Sequence, residues 1–285
     1  MKLILAVLLV LASTVVPLKA QVRQSYQMDD QSRIRAFLKR SGHALPFREA
    51  RELRREKRAV SILLQILRSK QETDSELRAG AVALLGILGD PTAITPLMTF
   101  MTGVGLRSPV DQRDYEALTD IPMSLGYILA EINRHRKQPL EKARAYVLGY
   151  LLDGLQPAFW QEQAQWTSPV HAEGQRNIAL TKMAILGLGI SGDREAVMGR
   201  PGKPKEGLEW FAELLNRPDD ALRHQRPQDA ARPHAWVKDL KPDTLDDLKH
   251  AVRAAIENNR FIAHYGLEKY HSREALNLPV PGPTR

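Results

Sequence analysis

His264, Glu268 and His271 fall at i, i+4 and i+7, the spacing that lines one face of a helix. Neighbours in such a series can share a metal ion. His264 and His271, however, stand ~10 Å apart along a helix axis, while a zinc–nitrogen bond is only ~2 Å long. The spacing therefore predicts surface histidines and no metal site. Gly187-Leu188-Gly189-Ile190-Ser191-Gly192 matches the G-x-G-x-x-G pattern of dinucleotide-binding loops. That pattern works only between a strand and a long helix, where backbone N–H groups face a pyrophosphate. Pro201 and Pro204 would cut such a helix short, and no strand runs exist to build a parallel sheet around it. Asp219-Asp220 and Asp246-Asp247 are adjacent pairs, which diverge around a helix rather than converging on a substrate. No nucleophile-elbow, zincin or P-loop pattern occurs. The chain has no cysteine, which excludes thiolate metal sites, disulfides and a cysteine nucleophile. These residues predict no catalytic constellation and no cofactor.

Two further groups suit recognition better than chemistry. Arg51, Arg54, Arg55 and Arg58 fall at i, i+3, i+4 and i+7, a cationic stripe able to meet an anionic partner or an anionic membrane surface. The competing role is a solvated helix face, partly neutralised by Glu52. Trp160 and Trp166 form the densest aromatic cluster and could line an interface. Burial in a helical core is the stronger expectation, because Trp is mostly buried on average.

The elements that must position these groups are helical. Of 285 residues, 43% are apolar but only 6% aromatic, and no run of alternating β-branched residues is flanked by turn residues. The net charge of +8 is uneven: residues 21–70 hold 13 Lys+Arg against 5 Asp+Glu, while 71–285 hold 26 against 28. Residues 1–20 carry Lys2, an apolar run from Leu3 to Ala12, and a small residue at Ala20 before Gln21. This is the anatomy of a signal peptide, too short to span a bilayer. Export to a periplasmic or extracellular location is the expectation, and nucleic acid is then a poor candidate partner.

Helical periodicity is clearest at Leu77, Ala81, Leu84 and Leu88. Gly89 should end that helix in the left-handed conformation, Asp90 should cap the next, and Pro91 suits its first position. A second helix follows over about 92–102, burying Ile94, Leu97, Met98 and Met101. The unit returns 103 residues later, where Leu180, Ala184, Leu188, Gly189, Gly192 and Asp193 match Leu77, Ala81, Leu85, Gly86, Gly89 and Asp90. Leu125-Gly126 and Leu148-Gly149 read as fainter copies, 40 residues from the strong ones, a spacing typical of helical repeats.

"LRAGAVALLGILGDPTAITPLM" (Leu77–Met98) resembles a HEAT-type repeat of the short bacterial style seen in phycobilin-lyase-like proteins, and "LTKMAILGLGISGDREAV" (Leu180–Val197) resembles it less completely. The resemblance implies an all-α fold, an α-solenoid of antiparallel helix pairs with helical caps. It implies a binding surface built from the second helix of each pair, and it transfers no catalytic residue. The organisation expected is a signal peptide (1–20), a basic N-terminal helical cap (21–75), a repeat region (76–215), a Pro/Arg-rich linker (216–243), a C-terminal helical cap (244–276) and a tail (277–285). Within the caps, 47–70 reads as one long charged helix with Ala50, Leu53, Val60, Leu64 and Leu67 inside, and 245–258 and 261–276 as two helices. The function expected is a non-catalytic binding module or scaffold for a protein partner or envelope polymer. The alternatives are an enzyme on the same scaffold and a structural envelope protein that touches the membrane.

Overall fold

In a computed structural model, the described residues are 30–40, 45–69, 75–103, 106, 108–135, 138–203, 206–217, 235–272 and 278. The expected signal peptide, Asp219-Asp220, most of the linker and nearly all of the tail lie outside them. Among the described residues every regular element is helical, apart from one isolated bridge between Arg200 and Lys203. We number the α-helices in chain order: α1 (30–40), α2 (Phe47–Glu52), α3 (Ala59–Arg68), α4 (Ser75–Leu88), α5 (Ile94–Met101), α6 (Gln112–Thr119), α7 (Ile121–His135), α8 (Glu141–Asp153), α9 (Pro157–Gln163), α10 (Glu173–Ile190), α11 (Arg194–Met198), α12 (Leu208–Asn216), α13 (Pro242–Tyr265) and α14 (Leu267–Tyr270).

The long helices α4, α7, α10 and α13 pack side by side in that order. They all run the same way. Ser124 near the start of α7 donates to the Val82 carbonyl, while Glu131 near its end lies against Gly89. Gly187 meets Pro122, and Asn133 donates to the Ser191 carbonyl four residues further on. Gly189 lies against Ala255, and Gly192 against Ile262. Glycine sets the spacing of these helices. A Cβ on Gly86 would come 2.7 Å from the Cα of Ser124, and one on Gly189 would come 2.7 Å from the Cα of Ala255. Gly126 and Gly187 oppose each other so closely that neither tolerates a side chain. The six-residue glycine pattern is thus the C-terminal end of a helix, and two of its glycines serve helix–helix contact.

The shorter helices connect and cover this layer. α6 packs on α4, α5 on α7, α8 on both α7 and α10, α9 on α10, and α12 on α13; α2 and α3 flank α4. Both strong repeat copies have the turn expected of them. Gly89 and Gly192 adopt φ of 65° and 58°, in the left-handed region that costs glycine little. Asp90 then accepts from the backbone N–H of Thr92, and Asp193 from that of Glu195. Pro91 opens a single 3-10 turn, so the second helix starts at Ile94, two residues later than periodicity indicates. Of the fainter copies, Gly126 lies within the parallel layer, but Gly149 belongs to α8, outside it.

Three expected boundaries are corrected. The helix over 47–70 is not continuous: α2 ends at Glu52, Leu53–Arg55 form a 3-10 turn, and Glu56 is extended at ψ 103°. The break rotates the buried stripe of α3 onto Ala59, Ile62, Leu63, Ile66 and Leu67. The helix expected over 245–258 instead runs from Pro242 unbroken to Tyr265, and Gly266, at φ 84°, separates it from α14. The span expected to be a linker includes a 3-10 turn, Ala235–Asp239, in which Val237 is buried.

Candidate functional site: the charged end of the helix layer

Four parallel helices bring four C-termini to one end of the layer. The last carbonyls of each helix have no partner within it, and that end carries a partial negative charge. Donors from other elements meet these carbonyls. Arg51 donates to Ile87 and Arg54 to Leu88, the last residues of α4; Asn259, itself buried, donates to Leu188 in the last turn of α10.

The centre of this end is Glu131, near the last turn of α7, with a side chain only 5% exposed. Its Oε2 accepts from both terminal nitrogens of Arg51 at 3.0 Å. Its Oε1 accepts from Arg54 at 2.8 Å and lies 2.8 Å from Nε2 of His135. Burial pushes its carboxyl upward, but the hydrogen bonds and positive charges of Arg54 and Arg51 outweigh burial and hold it below the usual carboxylate range. Glu131 therefore stays ionised as the anchor of two cations and is unsuited to act as an acid or base. Arg51 extends the network to Glu268 on α14 at 2.6 Å, and Arg134 reaches the same Glu268 oxygen at 3.0 Å. Glu268 is likewise held low: burial raises it, but bonds from Arg51 and its own backbone and the charges of Arg51 and Arg134 prevail.

His271, just beyond α14, closes the same end. Its ring stacks on Phe47 with centroids 4.0 Å apart, and its Nε2 lies 3.0 Å from the Tyr127 hydroxyl. Burial lowers it to about 4, with Glu268 pulling up and Arg51 pushing down. A cavity of about 370 Å³ lies on one side of Glu131, between Arg54, Lys57, Val60, the Gly89-Asp90 turn and His135. A second, of about 470 Å³, lies on the other side, between Arg134, Gly192, Ile262, His264 and Glu268.

A neighbouring network secures the second Gly-Asp turn. Arg144 on α8 forms a fork onto Asp193, with Nε and Nη2 each 2.8 Å from a carboxylate oxygen. It also meets Glu141, Glu195 and Asn133. Burial would lower its pKa, but these partners, Asp193 first, hold it above its usual value.

The four stripe arginines part company here. The break at 53–58 removes the single helical face on which they were expected, so the continuous stripe is corrected. Arg51 and Arg54 are engaged by Glu131, while Arg55 and Arg58 are exposed on the short turn before α3. Trp160 and Trp166 are core residues, 0% and 2% exposed, which matches the stronger expectation and not the interface alternative. The indole of Trp160 donates to the Gly154 carbonyl and that of Trp166 to the Met101 carbonyl. Arg176, itself buried, sits over the Trp166 ring and donates to its carbonyl. His264, Glu268 and His271 do not share a face, because Gly266 ends the helix among them. Among the described residues, no group of three or more His, Cys, Asp or Glu is arranged to hold a metal ion. No described helix is long and apolar enough to cross a membrane.

Sequence reasoning missed Glu131, Arg144 and Tyr127. Each has partners that are distant in the chain: 80 residues separate Arg51 from Glu131, and 144 separate Tyr127 from His271. The local signal was Glu131 set within the apolar run of Ile128, Leu129, Ala130 and Ile132 in a helix, where a buried carboxylate needs a cation. Comparison with family models, with curated proteins and with solved structures finds no match to this chain.

Proposed function

We propose that this protein is an exported, non-catalytic scaffold of HEAT-like helical repeats that binds a protein partner. The observation that carries the reading is the repeated unit itself: a long helix, a Gly-Asp turn and a short return helix, with the long helices side by side and pointing one way. Stacks of this kind bury their own apolar faces and leave rows of turns and short helices as binding surface. The charge network supports the same reading. Its carboxylates are ionised and matched by guanidinium groups, which fixes the end of the layer and leaves no poised acid or base. Export rests on the leader at residues 1–20. Contact is assigned to the basic end, where Arg55 and Lys57 are exposed.

The test is capture from envelope extract by the immobilised chain lacking residues 1–20, beside an Arg55→Glu/Lys57→Glu variant. The proposal expects one discrete polypeptide at stoichiometric yield, with capture reduced about tenfold by charge reversal, as rim charges steer association. Equal capture by both forms would remove the basic end from the account. Salt-sensitive flotation with anionic vesicles, without protein capture, would replace a protein partner by the membrane surface.

A further inference from the structure

Two elements far from α14 in the chain, α2 and α7, meet it at His271, and together they cover something specific. α2 contributes Phe47 and Arg51, α7 contributes Tyr127, Glu131 and Arg134, and α14 contributes Glu268 and Tyr270. Beneath them Ala130, Ile190, Ile262 and Leu267 form a small apolar cluster separate from the main core, with Phe47, Tyr127 and Tyr270 packed against it. This cluster joins the ends of α7, α10 and α13. The most weakly held part of it is α14, which contributes Leu267, is four residues long and is preceded by Gly266 in the left-handed region.

The geometry points to a pH-operated clasp: neutral His271, stacked on Phe47 and bonded to Tyr127, locks α14 over the end of the layer, and protonation releases it and bares the apolar cluster. When closed, the ring lies stacked against Phe47 with its Nε2 at the Tyr127 hydroxyl, and the neighbouring Glu268 is bonded to Arg51. An imidazolium there would lose water and would face Arg51. The charges around it come from every packed element: Arg51 from α2, Glu131 and Arg134 from α7, and Glu268 and Lys269 from α14, while His264 of α13 stands edge-on to Tyr265. Glu268 would favour the cation, but its carboxylate is already shared by two arginines. The sign follows from linkage. The closed ring binds its proton more weakly than a free one, at about 4 against 6.5. Closure is therefore fully favoured above the free value and weakens as pH falls from there toward 4. Between pH ~7.5 and ~5 the ratio of open to closed forms should rise about 30-fold.

Hydrogen exchange read by mass spectrometry tests this, with protection referenced to intrinsic exchange rates at each pH. The amides of Tyr270 and His271 are bonded to the carbonyls of Gly266 and Leu267 when closed. In the wild-type chain, protection over 267–272 should fall about 30-fold from pH ~7.5 to ~5, bis-ANS fluorescence should rise, and α10 should keep its protection. His271→Phe preserves the stack and His271→Gln can still bond Tyr127, but neither titrates, so both should flatten the pH dependence. The inference is overturned if wild-type protection does not change with pH, if either variant retains the wild-type slope, or if α10 loses protection in parallel, which would mean global acid unfolding. None of these results bears on whether the chain binds a partner.

Discussion

Glu131→Gln removes one charge and almost no volume, so its effect isolates the charge network. In the native chain Arg51 places two nitrogens on Oε2, and Arg54 places one on Oε1. Side-chain exposure is 5% for Glu131, 11% for Arg51 and 32% for Arg54. Breaking a fully buried ion pair costs about 3–5 kcal/mol, mainly because the surviving charge is stranded. Here the stranding is partial. Arg51 keeps the Ile87 carbonyl and Glu268, Arg54 keeps the Leu88 carbonyl, and Arg54 still reaches water. The expected loss is about 2–3 kcal/mol, or a fall in Tm of about 3–5 °C for a chain of this size. Urea unfolding followed by far-UV circular dichroism should show a lower midpoint with unchanged slope, because the surface exposed on unfolding is the same. Adding Arg51→Met should cost less in the Glu131→Gln background than in the wild type, by about 1 kcal/mol or more. A loss below about 0.5 kcal/mol, with additive single changes, would refute the view that this carboxylate holds the end of the layer together.

Other outcomes follow from the same geometry. Asp193→Ala should cost about 2–3 kcal/mol, because it removes a helix cap and the fork partner of Arg144, which keeps only Glu141, Glu195 and Asn133, whereas Asp90→Ala, which removes a cap alone, should cost about 1 kcal/mol; paired urea melts compare them. Gly126→Val places a branched side chain into the backbone of Gly187 and should lower stability by at least about 3 kcal/mol, read as a lower thermal midpoint or loss of soluble protein. The Glu131 and Glu268 carboxyls are held below the usual carboxylate range by their arginine partners. Their contribution is present above that range and should be lost as pH falls through their lower folded values, so stability measured downward from pH ~5 should decline in the wild type and less steeply in Glu131→Gln.

What could be read from sequence was local. The Gly89-Asp90-Pro91 and Gly192-Asp193 turns were legible because left-handed glycine and an aspartate cap act within three residues of themselves. The apolar stripe of α4, Leu77, Ala81, Leu84 and Leu88, was legible for the same reason. The break at Leu53–Glu56 was not, because no proline or glycine marks it. It occurs where Arg51 and Arg54 turn inward to the end of α4 and to Glu131, a tertiary demand that overrides helical propensity. Gly149 looked like Gly126 in sequence, but only the packing of α7 against α10 distinguishes them. Glu268 and His271 were noticed as potential metal ligands. Gly266 redirected them, one to arginines and the other to aromatic rings.

The most direct measurement of the scaffold claim is photo-crosslinking in living cells, with p-benzoylphenylalanine at Arg55 and, separately, at exposed Tyr146 on α8. The account predicts one discrete crosslinked polypeptide from the Arg55 position, weakened by Lys57→Glu, and little or none from Tyr146. No protein crosslink from either position, or the same spread of products from both, would contradict it.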